Sequence, residues 1–287
     1  MRLNELFASG KPTLSFEVFP PKTTDTFESV REATEEIAAL KPDFMSVTYG
    51  AGGGTSEYTA AIAKNIQDTH GVTPLAHLTC VSSTVEQITE QIGHLKEFGI
   101  ENILALRGDI PAGVPTDARW SFRYASELTA FIKRQGNFCV GGACYPEGHP
   151  ESPNQRADID SLKRKVDAGC DFLTTQMFFD NNILYNFLYK VRDAGIKVPV
   201  VAGIMPVTNG KQITRIISLA GNMLPTRFRM IVDRFGDDPA AMRQAGIAFA
   251  TEQIIDLLAN GVEHIHVYSM NKPEIARSIR DNLSEIL

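Results

Sequence analysis

The stretch Val198-Pro-Val-Val-Ala-Gly-Ile-Met205 is apolar almost throughout. A strand with one face in solvent alternates apolar and polar side chains, whereas a parallel strand that is covered on both faces is a near-continuous apolar run. Parallel strands are joined by crossover helices, and helix-like stretches flank this segment on both sides. The stretch therefore predicts a buried strand of a parallel sheet.

Short apolar segments of this kind recur along the whole chain, separated by stretches whose apolar residues are spaced about 3.6 apart. The predicted strands are Leu14–Phe19, Asp43–Tyr49, Pro74–Cys80, Asn102–Arg107, Phe138–Tyr145, Phe172–Met177, Val198–Met205 and Val262–Tyr268. A strand followed by a helix, repeated eight times, predicts an α/β fold of the (β/α)8 barrel type. We expect a single domain over residues 1–287, because no linker rich in Gly, Pro or Ser interrupts the alternation.

Capping residues predict where three of the helices begin. These starts are Asp25 with Glu28, the capping-box sequence at 83–86, and Asn271 followed by Pro273. Two helical stretches, at about 211–219 and 238–260, lie between the seventh and eighth strands. This connection is longer than a minimal barrel requires.

Composition limits the class of protein. The chain has 287 residues, of which 43% are hydrophobic, and a barrel of this type takes about 250. No run approaches the ~18 apolar residues of a membrane helix, and residues 1–12 lack the apolar core of a signal peptide, so we expect a cytoplasmic protein without membrane contact. The net charge of −6 argues against a nucleic-acid partner, which needs a basic surface.

Cysteine and histidine spacing argues against a metal site. The cysteines, Cys80, Cys139, Cys144 and Cys170, show no Cys-x-x-Cys pair, so we predict buried free thiols. His264 and His266 form a His-x-His pair on the eighth strand, but barrel hydrolases that bind metal through this motif carry it on the first strand, with further ligands later. We predict two packed histidines and no metal.

Polar residues follow the predicted strands, at the end where barrels of this fold carry their active sites. They are Glu17, Thr48, Tyr49, His77, Thr79, Arg107, Asp109, Tyr145, Gln176 and Tyr268. Glu17 is flanked by apolar residues, so desolvation is expected to raise its pKa and keep it protonated for general-acid work. A rim position, or pairing with a buried arginine, is an equally good interpretation of this segment alone.

Three further segments suggest ligand binding, each with a structural alternative. Arg107-Gly108-Asp109 combines charge with room for close approach, or forms a turn with a local ion pair. The glycine-rich 48–55 loop resembles a phosphate cradle, although glycines also serve tight turns. The 145–151 segment supplies an aromatic ring, an imidazole and carboxylates, and Asp158 and Lys165 follow in a helix whose cations would suit a pyrophosphate or simply face solvent.

Taken together, seven segments resemble the methylenetetrahydrofolate reductase family in order, from about Leu14 to the C-terminal helix. They are Ser-Phe-Glu-Val-Phe-Pro-Pro-Lys (15–22), Ser-Val-Thr-Tyr-Gly-Ala (46–51), His-Leu-Thr-Cys (77–80), Leu-Ala-Leu-Arg-Gly-Asp (104–109), Ala-Cys-Tyr-Pro-Glu-Gly-His-Pro-Glu (143–151), Leu-Lys-Arg-Lys-Val-Asp-Ala-Gly (162–169) and Thr-Gln-Met-Phe-Phe-Asp (175–180). The similarity is to the catalytic barrel of the bacterial type, without a regulatory domain.

The resemblance implies a flavoenzyme that makes 5-methyltetrahydrofolate for methionine synthesis. It implies FAD bound by Thr48, Tyr49, Ala51, His77, Arg107, Gly108, Asp109, Tyr124, Ala125, Tyr145, His149, Asp158, Ser161 and Lys165. It implies a folate substrate held by Asp109, Gln176, Gln212 and Lys272, with Glu17 as the acid and Asp109 tuning the flavin. Hydride would pass from NADH or NADPH to FAD and then to methylenetetrahydrofolate, in a ping-pong cycle and in a homo-oligomer.

Some positions depart from the family pattern. Lys272 stands where relatives can carry Arg, so bidentate carboxylate binding is lost, and Gly210 and Ile216 stand where some relatives have an aromatic residue. The electron donor therefore stays open between NADH, NADPH and a reduced partner protein. Another barrel FAD amine dehydrogenase and a non-redox pterin-binding barrel are the competing interpretations, and a folate assay and the colour of the purified protein separate them.

Overall fold

The computed structural model describes residues 1–21, 26–49, 56–81, 83–110, 120–213 and 224–287. Eight parallel strands close into a barrel in sequence order, with the first strand paired to the last. They are β1 (Thr13–Val18), β2 (Phe44–Val47), β3 (Thr73–Thr79), β4 (Asn102–Leu106), β5 (Cys139–Cys144), β6 (Phe172–Thr175), β7 (Val200–Ile204) and β8 (His264–Val267). The predicted single (β/α)8 barrel is confirmed, and each predicted strand ends within two residues of its observed limits.

Helices surround the barrel and alternate with its strands. They are α1 (Leu3–Phe7), α2 (Phe27–Ala39), α3 (Ser56–His70), α4 (Val85–Glu97), α5 (Ala125–Gln135), α6 (Gln155–Asp167), α7 (Asn181–Asp193), α8 (Thr226–Phe235), α9 (Pro239–Ala259) and α10 (Pro273–Asn282). Within the described ranges, no helix has both the length and the apolar character needed to cross a membrane.

The bottom of the barrel is closed by α1, which the sequence analysis did not predict. Phe7 packs edge-on against Phe44 and Phe172, with ring centroids 5.9 and 5.2 Å apart. The Leu3 amide donates to Asn102 Oδ1 at 2.8 Å. Because this plug fills the N-terminal end of the barrel, the cavity that ligands can enter lies at the other end.

The predicted helix starts are correct to within a residue where they can be compared. The capping box before α4 joins Thr84 and Gln87, one residue later than predicted, because Thr84 rather than Ser83 caps the helix. Pro273 is the first residue of α10, but the cap position is Lys272. Asn271 instead accepts from the Phe19 amide at 2.9 Å. Asp25 lies outside the described residues.

The connection between β7 and β8 differs most from the prediction. The long helix α9 is confirmed, whereas α8 was missed. The predicted helix at about 211–219 begins with a 3₁₀ turn at Gly210–Gln212 and the helical residue Ile213, and residues 214–219 lie outside the described residues. All four cysteines are buried and free, as predicted.

Candidate active site

A large cavity opens at the C-terminal ends of the strands, with a volume of about 1630 Å³. It is lined by every predicted site residue whose side chain is described, apart from Lys272. These residues are Glu17, Thr48, Tyr49, His77, Arg107, Gly108, Asp109, Tyr124, Ala125, Tyr145, His149, Asp158, Ser161, Lys165 and Gln176. Single-ligand pockets are typically about 300–1,000 Å³, so this cavity is large enough for an extended ligand or for two stacked ones.

Glu17 reaches into the base of this cavity, at the end of β1. Ser46 Oγ donates to Glu17 Oε2 at 3.4 Å. His77 Nε2 lies 3.6 Å and His266 Nε2 3.9 Å from the same oxygen. Three neighbouring strands thus surround one carboxyl group with a hydroxyl and two imidazoles.

The surroundings of Glu17 reverse the expected direction of its pKa. Burial raises the pKa of Glu17, but polar contact with His266 and the charges of His77 and His266 lower it by more, so the net pKa lies below the ordinary carboxyl value. Burial lowers the pKa of His77 to about 4, against an opposing effect of Glu17. His77 is then neutral at neutral pH, and the polar contacts of Glu17 with His266 and Ser46 remain. The prediction of a raised pKa was wrong, because it considered only the residues adjacent in sequence.

Tyr268 closes the cavity beside Glu17. Its hydroxyl donates to the Thr175 carbonyl at 2.6 Å, and burial, followed by the negative charge of Glu17, raises its pKa well above the ordinary value. A Cβ at Gly203 would lie 2.5 Å from this hydroxyl. Gly203 therefore leaves the space that the Tyr268 side chain occupies.

Arg107 pairs across the cavity mouth rather than within its own turn. Its guanidinium donates two parallel hydrogen bonds to Glu151, at 2.5 and 2.7 Å, while Asp109 is exposed at the mouth. Gly108 has a φ of +87°, and a Cβ there would lie 2.8 Å from Val81 Cγ1. A local Arg107–Asp109 pair is therefore not what shapes this turn.

A second polar group lines the far wall, where α6 begins. Lys165 donates to the Ala143 carbonyl, and burial lowers its pKa, with Cys170, Cys144 and Asp158 opposing. Asp158 accepts from Ser152 Oγ at 3.2 Å. The Tyr145 and His149 rings meet edge-on, with centroids 4.6 Å apart. Lys165 lies in the last turn of α6, and a partly buried cation on this wall favours an anionic ligand group there.

The side-chain amide of Gln176 is oriented by a hydrogen bond from the backbone. The Met177 amide donates to Gln176 Oε1 at 2.9 Å. Because only the side-chain oxygen can accept this bond, the orientation of the amide is set. Its NH2 group and the second lone pair of its oxygen remain for a ligand, so the role of Gln176 as donor and acceptor stays a prediction.

Five positions named in the sequence analysis contribute no described side chain to the cavity lining. Lys272 does not line it and instead donates to Thr208 Oγ1 at 3.4 Å. Ala51 and Ile216 lie outside the described residues, as does the side chain of Gln212. At Gly210, a Cβ would lie 2.7 Å from Gly236 Cα, so this backbone contact leaves no room for an aromatic residue.

Sequence reasoning missed two members of the Glu17 cluster as site residues. Side chains alternate along a strand, so Ser46 faces the same side as Thr48, and His266 the same side as Tyr268. That alternation was the signal available. His264 is packed as predicted, with its Nδ1 3.1 Å from Thr13 Oγ1. No cluster of metal-binding side chains occurs in the described part of the chain.

The comparisons with known proteins identify the family. The sequence model of the family described as methylenetetrahydrofolate reductase matches residues 2–284. The chain belongs to this family, and it is an oxidoreductase. It is 36% identical over 281 residues to the 5,10-methylenetetrahydrofolate reductase of Pectobacterium carotovorum, covering 96% of this chain and 92% of that protein.

Two further matches define how far the similarity extends. The chain is 36% identical to methylenetetrahydrofolate reductase (NADH) 1 of Zea mays and spans 50% of its length. Among solved structures, it shares a TM-score of 0.62 and 15% identity with an uncharacterized protein from Clostridium thermocellum. That protein is described as binding two copies of 5-methyl-5,6,7,8-tetrahydrofolic acid, and the two chains cover each other over 99%. At this identity the match shows a shared fold.

Proposed function

We propose that this chain reduces 5,10-methylenetetrahydrofolate to 5-methyltetrahydrofolate, with FAD as cofactor and NADH or NADPH as electron source, in a ping-pong cycle. Family membership supports the reaction class. The observation that carries the proposal is the position of Glu17, a partly buried carboxyl group at the base of a large cavity lined by the family's polar residues. We further propose a cytoplasmic homo-oligomer that supplies methyl groups for methionine synthesis.

The lining of the cavity suits FAD in its positive charge, in the backbone it presents and in a buried polar atom without a partner. Arg107 and Lys165 are cations on its lining, as a pyrophosphate requires. Gly108 brings backbone to the lining where no side chain would fit. His77 Nε2 is buried without a hydrogen-bond partner among the described residues, and a polar ligand atom would satisfy it. When bound, the flavin supplies a group that accepts hydride from nucleotide and donates it to folate.

Glu17 is the proposed acid of the folate step. The bridging carbon of the substrate lies between two nitrogens, and one C–N bond must open before the carbon can accept hydride. Protonating the leaving nitrogen assists this opening, which is general-acid catalysis. Glu17 reaches the cavity with Oε2 in contact with Ser46, so the acid group and its supporting hydroxyl are both in place.

Two other residues would orient the pterin. Asp109 is an exposed carboxylate at the mouth, and a carboxylate can accept two hydrogen bonds from an aminopyrimidine edge. The Gln176 side chain is held by the bond from the Met177 amide, and its NH2 group would donate to the pterin. Gln212 and Lys272 remain predicted folate contacts, and Lys272 would have to leave Thr208 to make one.

Stopped-flow absorbance of the purified protein tests the proposal. We expect a yellow protein with one non-covalent FAD per subunit, reduced by NADH or NADPH and reoxidised by methylenetetrahydrofolate. A reduced ferredoxin, added in place of nucleotide, tests for a protein donor. A colourless protein that FAD cannot reconstitute would favour a non-redox pterin-binding barrel. A flavin reduced by amines and not reoxidised by the folate would favour an amine dehydrogenase.

A further inference from the structure

Below the cavity, four side chains from β1, β2 and β8 form a continuous polar row. The strand register places Ser15 beside His266 and Glu17 beside Ser46. His266 Nδ1 lies 2.8 Å from Ser15 Oγ, and His266 Nε2 lies 3.1 Å from Ser46 Oγ. The row ends at Glu17 Oε2, 3.4 Å from Ser46 Oγ. Ser15, Ser46 and His266 are all buried, so bulk solvent contributes little to their hydrogen bonding.

The direction of the hydrogen bonds follows from the first member. Ser15 Oγ donates its one hydrogen to the Ile265 carbonyl at 3.0 Å. It can therefore only accept from His266, which assigns a hydrogen to Nδ1 of that ring. In a neutral imidazole the other nitrogen is then an acceptor, so Nε2 of neutral His266 accepts from Ser46.

Two arrangements of hydrogens satisfy the whole row, and they contain the same number of protons. With a neutral His266 ring, Ser46 donates to Nε2, and only a protonated Glu17 can complete the row by donating to Ser46 Oγ. With a charged ring, Nε2–H donates to Ser46, and Ser46 donates to the Glu17 carboxylate. One proton thus has two positions, on Glu17 or on His266.

We propose that His266 stores the proton that Glu17 delivers in the folate step, and that the Ser46 hydroxyl transfers it between them. The His266 Nε2–H bond breaks as its hydrogen bonds to Ser46 Oγ. The original Ser46 O–H bond breaks, and an O–H bond forms at Glu17 Oε2. An imidazolium and a carboxylate become an imidazole and a carboxylic acid, and solvent water in the open cavity supplies the next proton. This inference rests on the proposed folate reduction.

The neighbours of the row explain why the proton is held away from Glu17. In the described structure, the titratable groups that face Glu17 are His77 from β3 and His266 and Tyr268 from β8. The pKa of Glu17 is lowered, and His77 with a pKa of about 4 is neutral. Of the two imidazoles, His266 is the one whose Nε2 lies within hydrogen-bond distance of Ser46 Oγ, at 3.1 Å. The His266 ring is also fixed in plane, stacked on Phe44 with centroids 5.7 Å apart.

Breaking the row at its middle gives the first test. In Ser46→Ala, flavin reduction by nucleotide should keep its rate, while reoxidation by the folate slows by about 10-fold or more, part of the 10²–10⁴-fold that a positioned acid contributes. The rate of reoxidation in this variant should begin to fall at a lower pH than in the parent, because Glu17 is then no longer supplied with a proton through Ser46. The proton inventory, which plots the rate of the folate step against the deuterium fraction of the solvent, should change its shape. A curved plot indicates that two protons move in the transition state, and we expect a linear plot in the variant.

The barrel contains a matched control. Thr13 and His264 form the same hydroxyl–imidazole pair at the other end of β1 and β8, 3.1 Å apart and without a carboxylate. Thr13→Val should leave both half-reactions and both profiles unchanged. Equal slowing in Thr13→Val and Ser46→Ala, or an unchanged pH profile in Ser46→Ala, overturns the proposal. A parent protein that never reduces the folate overturns the proposed function instead.

A second measurement needs no folate and no variant at Ser46. Nitrogen NMR of the purified protein reports which nitrogen of the neutral His266 ring carries hydrogen. We expect Nδ1–H, and loss of this preference in Ser15→Ala, where the accepting hydroxyl is gone. Hydrogen on Nε2 would mean that the hydrogen bonds of the row run in the opposite direction. This result would overturn the proposal, whatever the kinetics show.

Discussion

At the scale of single residues, neighbours across strands decide the chemistry. Glu17 is flanked in sequence by apolar side chains, and those neighbours alone would raise its pKa. The barrel places His266 and Ser46 against it from other strands, and the pKa falls instead. An acid in this position therefore needs its proton from a neighbour.

The Glu17→Gln variant should separate the two halves of the cycle. Flavin reduction moves a hydride without an acid, so we expect a near-normal rate. Gln keeps the size of Glu and can donate a hydrogen bond, but it cannot release a proton, so reoxidation by methylenetetrahydrofolate should slow by about 10²–10⁴-fold. Single-turnover absorbance of the flavin measures each half-reaction.

Folate affinity serves as the control in the same experiment. Binding should persist in Glu17→Gln, because Asp109 and Gln176 are untouched. Equal slowing of both half-reactions would make Glu17 structural, and unchanged rates would transfer the acid role to another group.

The Asp109→Asn variant should affect both halves of the reaction. Removing a negative charge from the cavity mouth favours the reduced, more negative cofactor, and about 1.4 kcal/mol of lost repulsion corresponds to about 30 mV for two electrons. Folate binding should weaken, because an amide accepts fewer hydrogen bonds than a carboxylate. A redox titration and a folate binding curve measure these effects, and no change in either would reduce Asp109 to a turn residue.

At the scale of secondary structure, strands were easier to predict than helices. Each strand is largely buried, so it appears in the sequence as a short, mainly apolar segment between polar connections. The missed helices have weaker signals. Only five residues form α1, which is ordered by packing of Phe7 into the barrel, and Phe228 alone is fully buried in α8. Contacts distant in sequence hold both of them.

The plug formed by α1 should contribute to stability without contributing to the site. Phe7 is buried against Phe44 and Phe172, and truncating a buried Phe typically costs about 3–5 kcal/mol. We expect Phe7→Ala to lower the urea midpoint accordingly, while the bound flavin keeps its spectrum. A stability within about 0.5 kcal/mol of the parent, the range of surface changes, would mean that α1 is not anchored there.

Two glycines should respond oppositely to the same substitution. At Gly203 an added Cβ would lie 2.4 Å from the Thr175 carbonyl oxygen, so Gly203→Ala should destabilise the barrel and displace Tyr268. At Gly93, inside α4, nothing lies within 4 Å, so Gly93→Ala should stabilise by about 0.5–1 kcal/mol. Thermal unfolding of both variants measures the contrast, and a shift of the same sign in both would contradict the packing described here.

At the scale of the whole molecule, closure of the barrel is what assembles the site. The sequence identified the polar residues at the strand ends that line the cavity, because the C-terminal ends of the strands meet at one rim. It did not reveal which of them touch. The pairing of Arg107 with Glu151 and the row from Ser15 to Glu17 depend on register between strands, which apolar patterning does not encode.

The stability of the whole chain should fall between pH 6.5 and about 4, in part because of His77. Its pKa drops from 6.5 to about 4 on folding, so in this interval the unfolded chain binds a proton that the folded chain excludes. Protons therefore favour unfolding: the stability is fully present above pH 6.5 and is lost as the pH falls towards 4. The shift corresponds to about 3 kcal/mol.

The His77→Gln variant isolates this contribution. His149 and His264 also have lowered pKa values, so the parent should lose stability more steeply than His77 alone would cause, and the variant should retain a weaker slope. The pKa of Glu17 is lowered from 4.5, so its contribution to stability is lost only below about pH 4.5. The loss of stability in the upper part of the interval therefore comes from the histidines. Urea unfolding at pH 7.5, 6.0 and 5.0 compares the two proteins. Parallel curves would mean that His77 is charged in the folded barrel, and that the Glu17 carboxylate is then stabilised by His77 as well as by His266.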